Sequence, residues 1–334
     1  MVTEGLLPWY AANRRDLPWR KSREPYAVWV SEIMLQQTRV EAVIPYYRRF
    51  MQALPDVRAL ADAPEEQLLK LWEGLGYYNR VRNLQKAARQ IMTEHSGVFP
   101  GEYAKIRKLS GIGPYTAGAI ASICFEQPTP AVDGNVLRVF SRLYNDPGVI
   151  TEPAVKKAFT ARVMEHQPPE KAGDYNQALM ELGATVCTPR SPDCAHCPVQ
   201  AHCGAFAADE AEDYPVKDPK PVKAVEEFDV YLIVKDGRAL VRKRPKSGLL
   251  AGLWEFPHGK LPVRVKQELP PVDVKHVFTH KIWLMHGLRA ELAGEAEGCV
   301  WVDAQELAAL PMPTPMDKYR KELLESGEMK EWKS

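Results

Sequence analysis

Apolar residues recur over most of the first two hundred positions with the spacing of helix faces. Tyr26, Trp29, Val30, Ile33 and Met34 fall at i, i+3, i+4, i+7 and i+8, the stripe that an amphipathic helix turns toward a core. Similar stripes run through 68–72, 84–92, 117–124, 136–144 and 178–186, separated by glycine and proline at 74–76, 97–101, 111–114 and 128–130. Residues 5–208 therefore predict an all-α region. No fixed internal period repeats, which argues against a solenoid. The pattern changes at 209–227, where a run of acids is followed by Pro215, Pro219 and Pro221 among lysines. Such a stretch is too polar and proline-rich to pack and reads as a linker. Beyond it, apolar runs at 228–234 and 238–242 flank Asp236-Gly237, a two-residue hairpin signal. Further strands are expected at 274–284 and 300–302, and a helix at 317–325. The expected organisation is multidomain: an all-α part over 1–208, a linker over 209–227, and a smaller α+β domain over 228–334.

Length and composition agree with two folded cores. The chain has 334 residues, 45% hydrophobic and 26% charged, an ordinary globular balance. No apolar run approaches the ~18 residues of a membrane span. The first residues lack the basic-then-apolar order of a secretory leader, so a soluble cytoplasmic protein without membrane partners is expected. The net charge of +1 conceals a local excess: 76–142 holds nine Lys/Arg against four Asp/Glu. That excess suits a phosphate-binding face, and equally a solvated basic surface.

Cysteine usage is more specific. Cys187, Cys194, Cys197 and Cys203 fall within seventeen residues, whereas Cys124 and Cys299 stand alone in apolar surroundings and read as buried thiols. Four thiols in one short loop make a metal site, either tetrahedral zinc or a [4Fe–4S] cluster, and spacing alone does not separate the two. Three further signals carry chemistry. Leu109-Ser-Gly111-Ile-Gly113 is a Gly-x-Gly turn opening a helix, where free N–H groups and the positive dipole end favour phosphate. Asp133, in Val-Asp-Gly-Asn, reads first as a turn or helix cap. Glu32 lies off the stripe of its helix and reads first as solvated, followed by Met34-Leu-Gln-Gln-Thr38, whose amides and leucine could probe a base stack.

Taken in order, Leu-Pro-Trp-Arg20, Ser-Glu32-Ile-Met-Leu-Gln-Gln-Thr38, Gly-Leu-Gly-Tyr77-Tyr, Leu-Ser-Gly-Ile-Gly113, Val-Asp133-Gly-Asn and Cys-x6-Cys-x2-Cys-x5-Cys resemble the helix-hairpin-helix DNA glycosylases. They resemble the MutY-type adenine DNA glycosylases more closely, over nearly the whole chain. The resemblance implies a six-helix domain and a [4Fe–4S] domain around a DNA-binding cleft. It also implies base excision repair of duplex DNA carrying adenine opposite 8-oxoguanine or guanine, by a monomer at the nucleoid of a bacterial cytoplasm. Members that also cut the strand carry a lysine just after the Gly-x-Gly-x of the hairpin, where it forms a Schiff base. Tyr115 stands there, which favours simple base hydrolysis. In family terms Glu32 protonates adenine N7 and then activates water, and should have the more raised pKa of the two carboxyls. Asp133 then stabilises the oxocarbenium-like sugar, and Asn135 supports the water. The flipped base would lie among Trp19, Arg20, Tyr115 and Gln177, while Leu35, Gln37, Thr38 and Tyr77 reach the orphan base and Leu109, Gly111 and Gly113 hold the backbone.

The second domain is similar to the Nudix hydrolase fold through Ser247-Gly-Leu-Leu-Ala-Gly-Leu-Trp-Glu-Phe-Pro257. Its Glu-rich metal-binding helix is missing, since Gly259-Lys-Leu-Pro leads into Val263-Arg-Val-Lys-Gln, so binding without hydrolysis is expected. The family reads 8-oxoguanine with Phe-Ser-His; Phe278, Thr279 and His280 stand at that motif, with Thr keeping the hydroxyl. Two rival readings remain: a superfamily enzyme with another base choice, and a non-enzymatic DNA-binding protein with structural zinc.

Overall fold

The computed structural model describes residues 2–219, 221–267 and 269–329. They form two units, Met1–Asp62 with Asn83–Pro219, and Ala63–Arg82 with Lys220–Ser334. In chain order the helices before the sheets are α1 (Val2–Asn13), α2 (Pro25–Leu35), α3 (Val40–Ala53), α4 (Val57–Asp62), α5 (Glu65–Leu71), α6 (Asn79–Glu94), α7 (Tyr103–Ile106), α8 (Pro114–Phe125), α9 (Gly134–Leu143), α10 (Pro153–Glu165), α11 (Ala172–Thr185) and α12 (Gly204–Ala207).

In the first unit, α2 starts at Pro25 with the Glu24 side chain accepting from Ala27 N–H at 2.8 Å. Every residue of α2 from Tyr26 to Met34 is buried, with α3 and α8 packed on it. A helix enclosed on all sides has no polar face, so Glu32 lies inside the protein. The α7–α8 hairpin turns at Gly111, whose φ of 73° falls in the left-handed region. A Cβ there would lie 2.6 Å from that of Asn83, so glycine is required twice over. Residues from α1, α9, α10 and α11, among them Leu6, Phe140, Phe159, Tyr175 and Leu182, share one core, against which Cys187, Cys197 and Cys203 pack.

The second unit contains β1 (Ala224–Leu232), β2 (Val234–Lys235), β3 (Arg238–Lys243), β4 (Trp254–Glu255), β5 (Val263–Val265), β6 (Val272–Val277), β7 (Lys281–Leu292), β8 (Cys299–Val302), α13 (Ala304–Ala309) and α14 (Asp317–Glu325). Among the described residues β7 pairs with β1 in parallel and with β5 and β6 antiparallel, while β3 pairs with β2, β4 and β8. Asp236 and Gly237 both have positive φ, 51° and 71°, as a type I′ turn demands. Val230, Val241, Phe256, Trp283, Met285 and Tyr319 fill the core under α14.

Three boundaries differ from the sequence expectations. Ala63–Arg82 falls in the second unit: Lys70 Nζ donates to Ala308 O at 2.8 Å, and Glu73 Oε1 accepts from Met312 N and Arg320 Nη1 at 2.9 Å each. The stretch 209–227 is shared out. Tyr214 O and Val216 O accept hydrogen bonds in the first unit, and β1 begins at Ala224. The strand expected over 274–284 is two strands, β6 and β7, joined by a turn at 278–281 where Phe278 N–H donates to Lys281 O at 2.8 Å. Cys124 and Cys299 are only partly buried.

Candidate active site

A cavity of about 610 Å³ opens in the first unit, walled by residues from the turn before α2, from α2 itself, the start of α8, the start of α9, and α11. Glu32 projects into it and is 7% exposed. Its Oε2 accepts from the Tyr115 hydroxyl at 2.7 Å, and that hydroxyl lies 3.1 Å from Met180 Sδ. Burial raises the Glu32 carboxyl to about 7, against the Tyr115 hydrogen bond; the Asp133 charge adds to the rise and Arg20 opposes it. The first reading of Glu32 as solvated is therefore corrected.

Asp133 is the N-cap of α9. Its Oδ1 accepts from Asn135 N at 2.9 Å and Val136 N at 2.8 Å, and its Oδ2 from Asn135 Nδ2 at 2.9 Å. Burial raises this carboxyl too, but all three donors favour the ionised form. Asn135 Oδ1 accepts from Arg138 Nη2 at 2.8 Å, and Arg138 Nε reaches Cys187 O at 2.8 Å. Gly183 lets α11 approach here, since a Cβ on it would lie 2.6 Å from Asn135 Cβ.

The other residues named for the base pocket line the same cavity. Trp19 is buried with its ring edge-on to Tyr47, at 5.3 Å between centroids. Arg20 Nη2 donates to Glu181 Oε2 at 2.8 Å, and Gln177, Leu35, Gln37 and Thr38 line the same cavity. Gln37 sits at the end of α2 with a positive φ of 58°. Leu109, Gly111 and Gly113 form the turn before α8, with Gly113 its N-cap. Sequence reasoning missed Arg15, Met180 and Glu181. Glu181 is fully buried and takes Arg15 Nε, Nη2 and N–H at 2.9 Å each. Burial would raise its carboxyl, but the hydrogen bonds from Arg15 and Arg20 outweigh it and hold the group down at about 2. A charge inside the apolar 178–186 stripe was the available signal.

In the second unit the structure brings Tyr77 to the 278–281 turn: its hydroxyl lies 2.6 Å from Thr279 Oγ1. Phe278 packs on Trp283 and His276, with ring centroids 4.8 and 4.4 Å apart, while Thr279 and His280 are exposed. Lys223 Nζ donates to Phe278 O at 2.7 Å. In the first unit, Cys187, Cys194, Cys197 and Cys203 all line one recess with Val186, Pro192 and Phe206, and none is in a disulfide. Among the described residues no group of three or more His, Cys, Asp or Glu is placed to hold a single metal ion, so four free thiols around one apolar-walled recess fit a larger thiolate-held group instead.

Comparisons with known proteins now decide between the readings. Residues 30–165 match the HhH-GPD superfamily of base excision DNA repair proteins, 187–203 the iron-sulfur binding domain of endonuclease III, and 229–322 the NUDIX domain. The adenine DNA glycosylase of Mus musculus is 36% identical over 94% of this chain and 76% of its own length. That of Homo sapiens is 34% identical over 94% of this chain and 72% of its own. The chain belongs to the adenine DNA glycosylase family. The family's Arabidopsis thaliana member is 42% identical over 77% of this chain, a match spanning about half, 47%, of the plant protein. Two solved structures share the helical fold. A thermostable thymine-DNA glycosylase is 27% identical with a TM-score of 0.55, covering 62% of this chain and 95% of its own. A trapped endonuclease III–DNA covalent intermediate is 22% identical, with a TM-score of 0.54 over 62% and 95%. The chain thus combines an HhH-GPD base excision repair domain, an iron–sulfur binding loop and a Nudix-like C-terminal domain. Among the described residues no helix is long and apolar enough to cross a membrane.

Proposed function

We propose that this chain is a monofunctional glycosylase that hydrolyses the N-glycosidic bond of adenine opposite 8-oxoguanine, or guanine, in duplex DNA. One arrangement carries the reading: buried Glu32, raised to about 7 and bonded to Tyr115, shares a pocket with Asp133, whose oxygens meet three N–H donors. One carboxyl protonated and one ionised near neutral pH is the pairing that glycoside hydrolysis requires. Adenine leaves poorly as an anion, so Glu32 gives its proton to N7 of the flipped base as the bond to the sugar breaks. Positive charge then develops on the sugar, where Asp133 stabilises it. The ionised Glu32 takes a proton from the attacking water, which Asn135 orients, and so regains its acid form. Tyr115 has no amine, so no Schiff base forms and an abasic site is left uncut.

Trp19, Arg20 and Gln177 wall the base pocket, and Leu35, Gln37 and Thr38 lie at its mouth toward the duplex. Leu109, Gly111 and Gly113 present backbone N–H groups to phosphate. Tyr77, Phe278, Thr279 and His280 read the 8-oxoguanine partner. Cys187, Cys194, Cys197 and Cys203 hold one [4Fe–4S] cluster, which when bound ties the loop after α11 into a fixed shape. The protein works as a monomer at the nucleoid of a bacterial cytoplasm.

The test is single-turnover excision on duplexes with adenine opposite 8-oxoguanine, read with and without alkali. Strand breakage only after alkali supports the proposal. Breakage without alkali, or no release of adenine, overturns it.

A further inference from the structure

Arg142, on α9, is 2% exposed, and its guanidinium faces the cysteine loop and the chain that follows. Nη1 donates to Cys187 Sγ at 3.3 Å and Thr188 O at 2.8 Å, Nη2 to Pro189 O at 3.2 Å, and Nε to Tyr214 O at 3.0 Å. Its main-chain carbonyl accepts from Cys203 Sγ at 3.4 Å. One residue thus joins the first and last thiols of the loop, and Tyr214 beyond them, to a core helix.

Charge supplies the second half of the inference. Arg138, one turn earlier and 6% exposed, donates to Asn135 Oδ1, Cys187 O and Gly183 O. Among the described residues neither guanidinium pairs directly with a carboxylate, although the Asp133 charge supports the Arg138 cation. Burying the Arg142 cation without a paired carboxylate is costly, and Arg138, a like charge one turn away on the same helix, adds repulsion. Among the described residues, the groups hydrogen-bonded to the Arg142 guanidinium or carbonyl that become anionic on binding a metal group are the loop's thiols, with the exposed Asp193 on the rim of the same recess. When these thiolates hold an iron–sulfur core, their negative charge outweighs the positive charge of the core, and each added electron deepens the excess.

We propose that Arg142 is the resident countercharge of the iron–sulfur cluster: it clasps the loop through Cys187 and Cys203, and its cation favours the more reduced state of the bound cluster. The couple is a one-electron exchange with an electrode, with no bond made or broken. A fixed cation in a low-dielectric site stabilises the electron-rich partner more than the electron-poor one. The proposal rests on cluster binding by these four cysteines.

The experiment uses full-length protein purified without oxygen, as wild type, Arg142→Gln and Arg142→Lys. Iron content, the midpoint potential at an electrode, and bleaching of visible absorbance by a ferrous-iron chelator are measured. Arg142→Gln should lower the potential and bleach roughly tenfold faster or more, on the scale of losses seen when outer partners of a metal site are removed. Arg142→Lys should keep the potential near wild type yet bleach faster, because a single ammonium cannot serve four acceptors. A loaded Arg142→Gln protein with the wild-type potential would overturn the charge role. Wild-type bleaching by Arg142→Lys would overturn the clasp. If Arg142→Gln cannot be loaded, Arg142→Lys decides alone: an unchanged potential with faster bleaching supports the proposal, and any other pair of results overturns it. Wild-type protein without iron would instead remove the cluster reading beneath it.

Discussion

Glu32 and Thr279 sit in surroundings of opposite kind. Around Glu32 the neighbours are themselves held: Asp133 by three donors, Arg20 by Glu181, and Tyr115 at the start of α8. Thr279 is exposed at a two-residue turn and is fixed from beneath. Lys223 holds the carbonyl of Phe278, the Phe278 ring leans on Trp283, and the Trp283 indole donates to Glu226 Oε2 at 2.7 Å. Desolvation keeps a carboxyl protonated near neutrality, so an acid must be enclosed. A turn that reads a base edge must instead reach outward, and its precision comes from an anchor in its own sheet. Chemistry and recognition should therefore fail separately.

The largest effect should come from Glu32→Gln, which keeps the shape but cannot deliver a proton. Single-turnover excision should fall about 10³-fold or more while duplex binding persists, on the usual scale of general acid–base catalysis and beyond. Equal excision by the variant would take Glu32 out of the mechanism. Asp133→Asn should reduce excision by about 10²–10³-fold, the scale for removing one electrostatic stabiliser. Its amide nitrogen would also face the Nδ2 of Asn135, so a small drop in Tm is expected in thermal denaturation.

The pH profile sharpens the contrast. Burial raises Glu32 to about 7, so its acid form is present below that value and lost above it. Excision should hold steady below about pH 7 and then fall roughly tenfold per pH unit. Linkage gives the matching sign for stability: the folded protein binds the extra proton, so its stability declines as pH rises from the ordinary carboxylate range to about 7. Glu32→Gln should lose that decline, as melting curves across this window would reveal.

The smallest effect belongs to the turn. Thr279→Ala should lower the ratio of excision opposite 8-oxoguanine to that opposite guanine by about fivefold, since one base-edge hydrogen bond is worth roughly 1–3 kcal/mol. Tyr77→Phe removes the same Tyr77–Thr279 bond but leaves the threonine hydroxyl, so it should cost less. Neither change should move the midpoint of the pH profile; a shift would mean that the turn and the acid are coupled after all.

Much of this organisation was legible in the sequence, and the failures share a cause. The helices at 26–34, 117–124, 136–144 and 178–186 and the Asp236-Gly237 turn declared themselves through local spacing. Glu32 was misplaced by the same rule, because a stripe argument assumes one wet face and α2 has none. Segment 63–82 looked like any other helical stretch. Its place is decided by Ala308, Met312 and Arg320, more than 200 positions away, and no local pattern announces such partners. The end of the stretch read as linker becomes β1 for a similar reason, since its parallel partner β7 begins at Lys281. Arg15 and Glu181 were missed because each explains the other only once they meet.

Asp133 also caps a helix, and that second duty bears on how the position can vary among living variants. A substitution that removes the side-chain oxygens frees the N–H groups of Asn135 and Val136 at the start of α9, a loss worth about 1 kcal/mol. Because α9 sits in the core with α11 and α10, such a variant would spend more time partly opened and be cleared more quickly by cellular proteases. Its carriers would hold less of a protein that is also slower, two losses that multiply. Asparagine keeps one capping oxygen and spares most of the first loss, so abundance and turnover part company at position 133 in that variant.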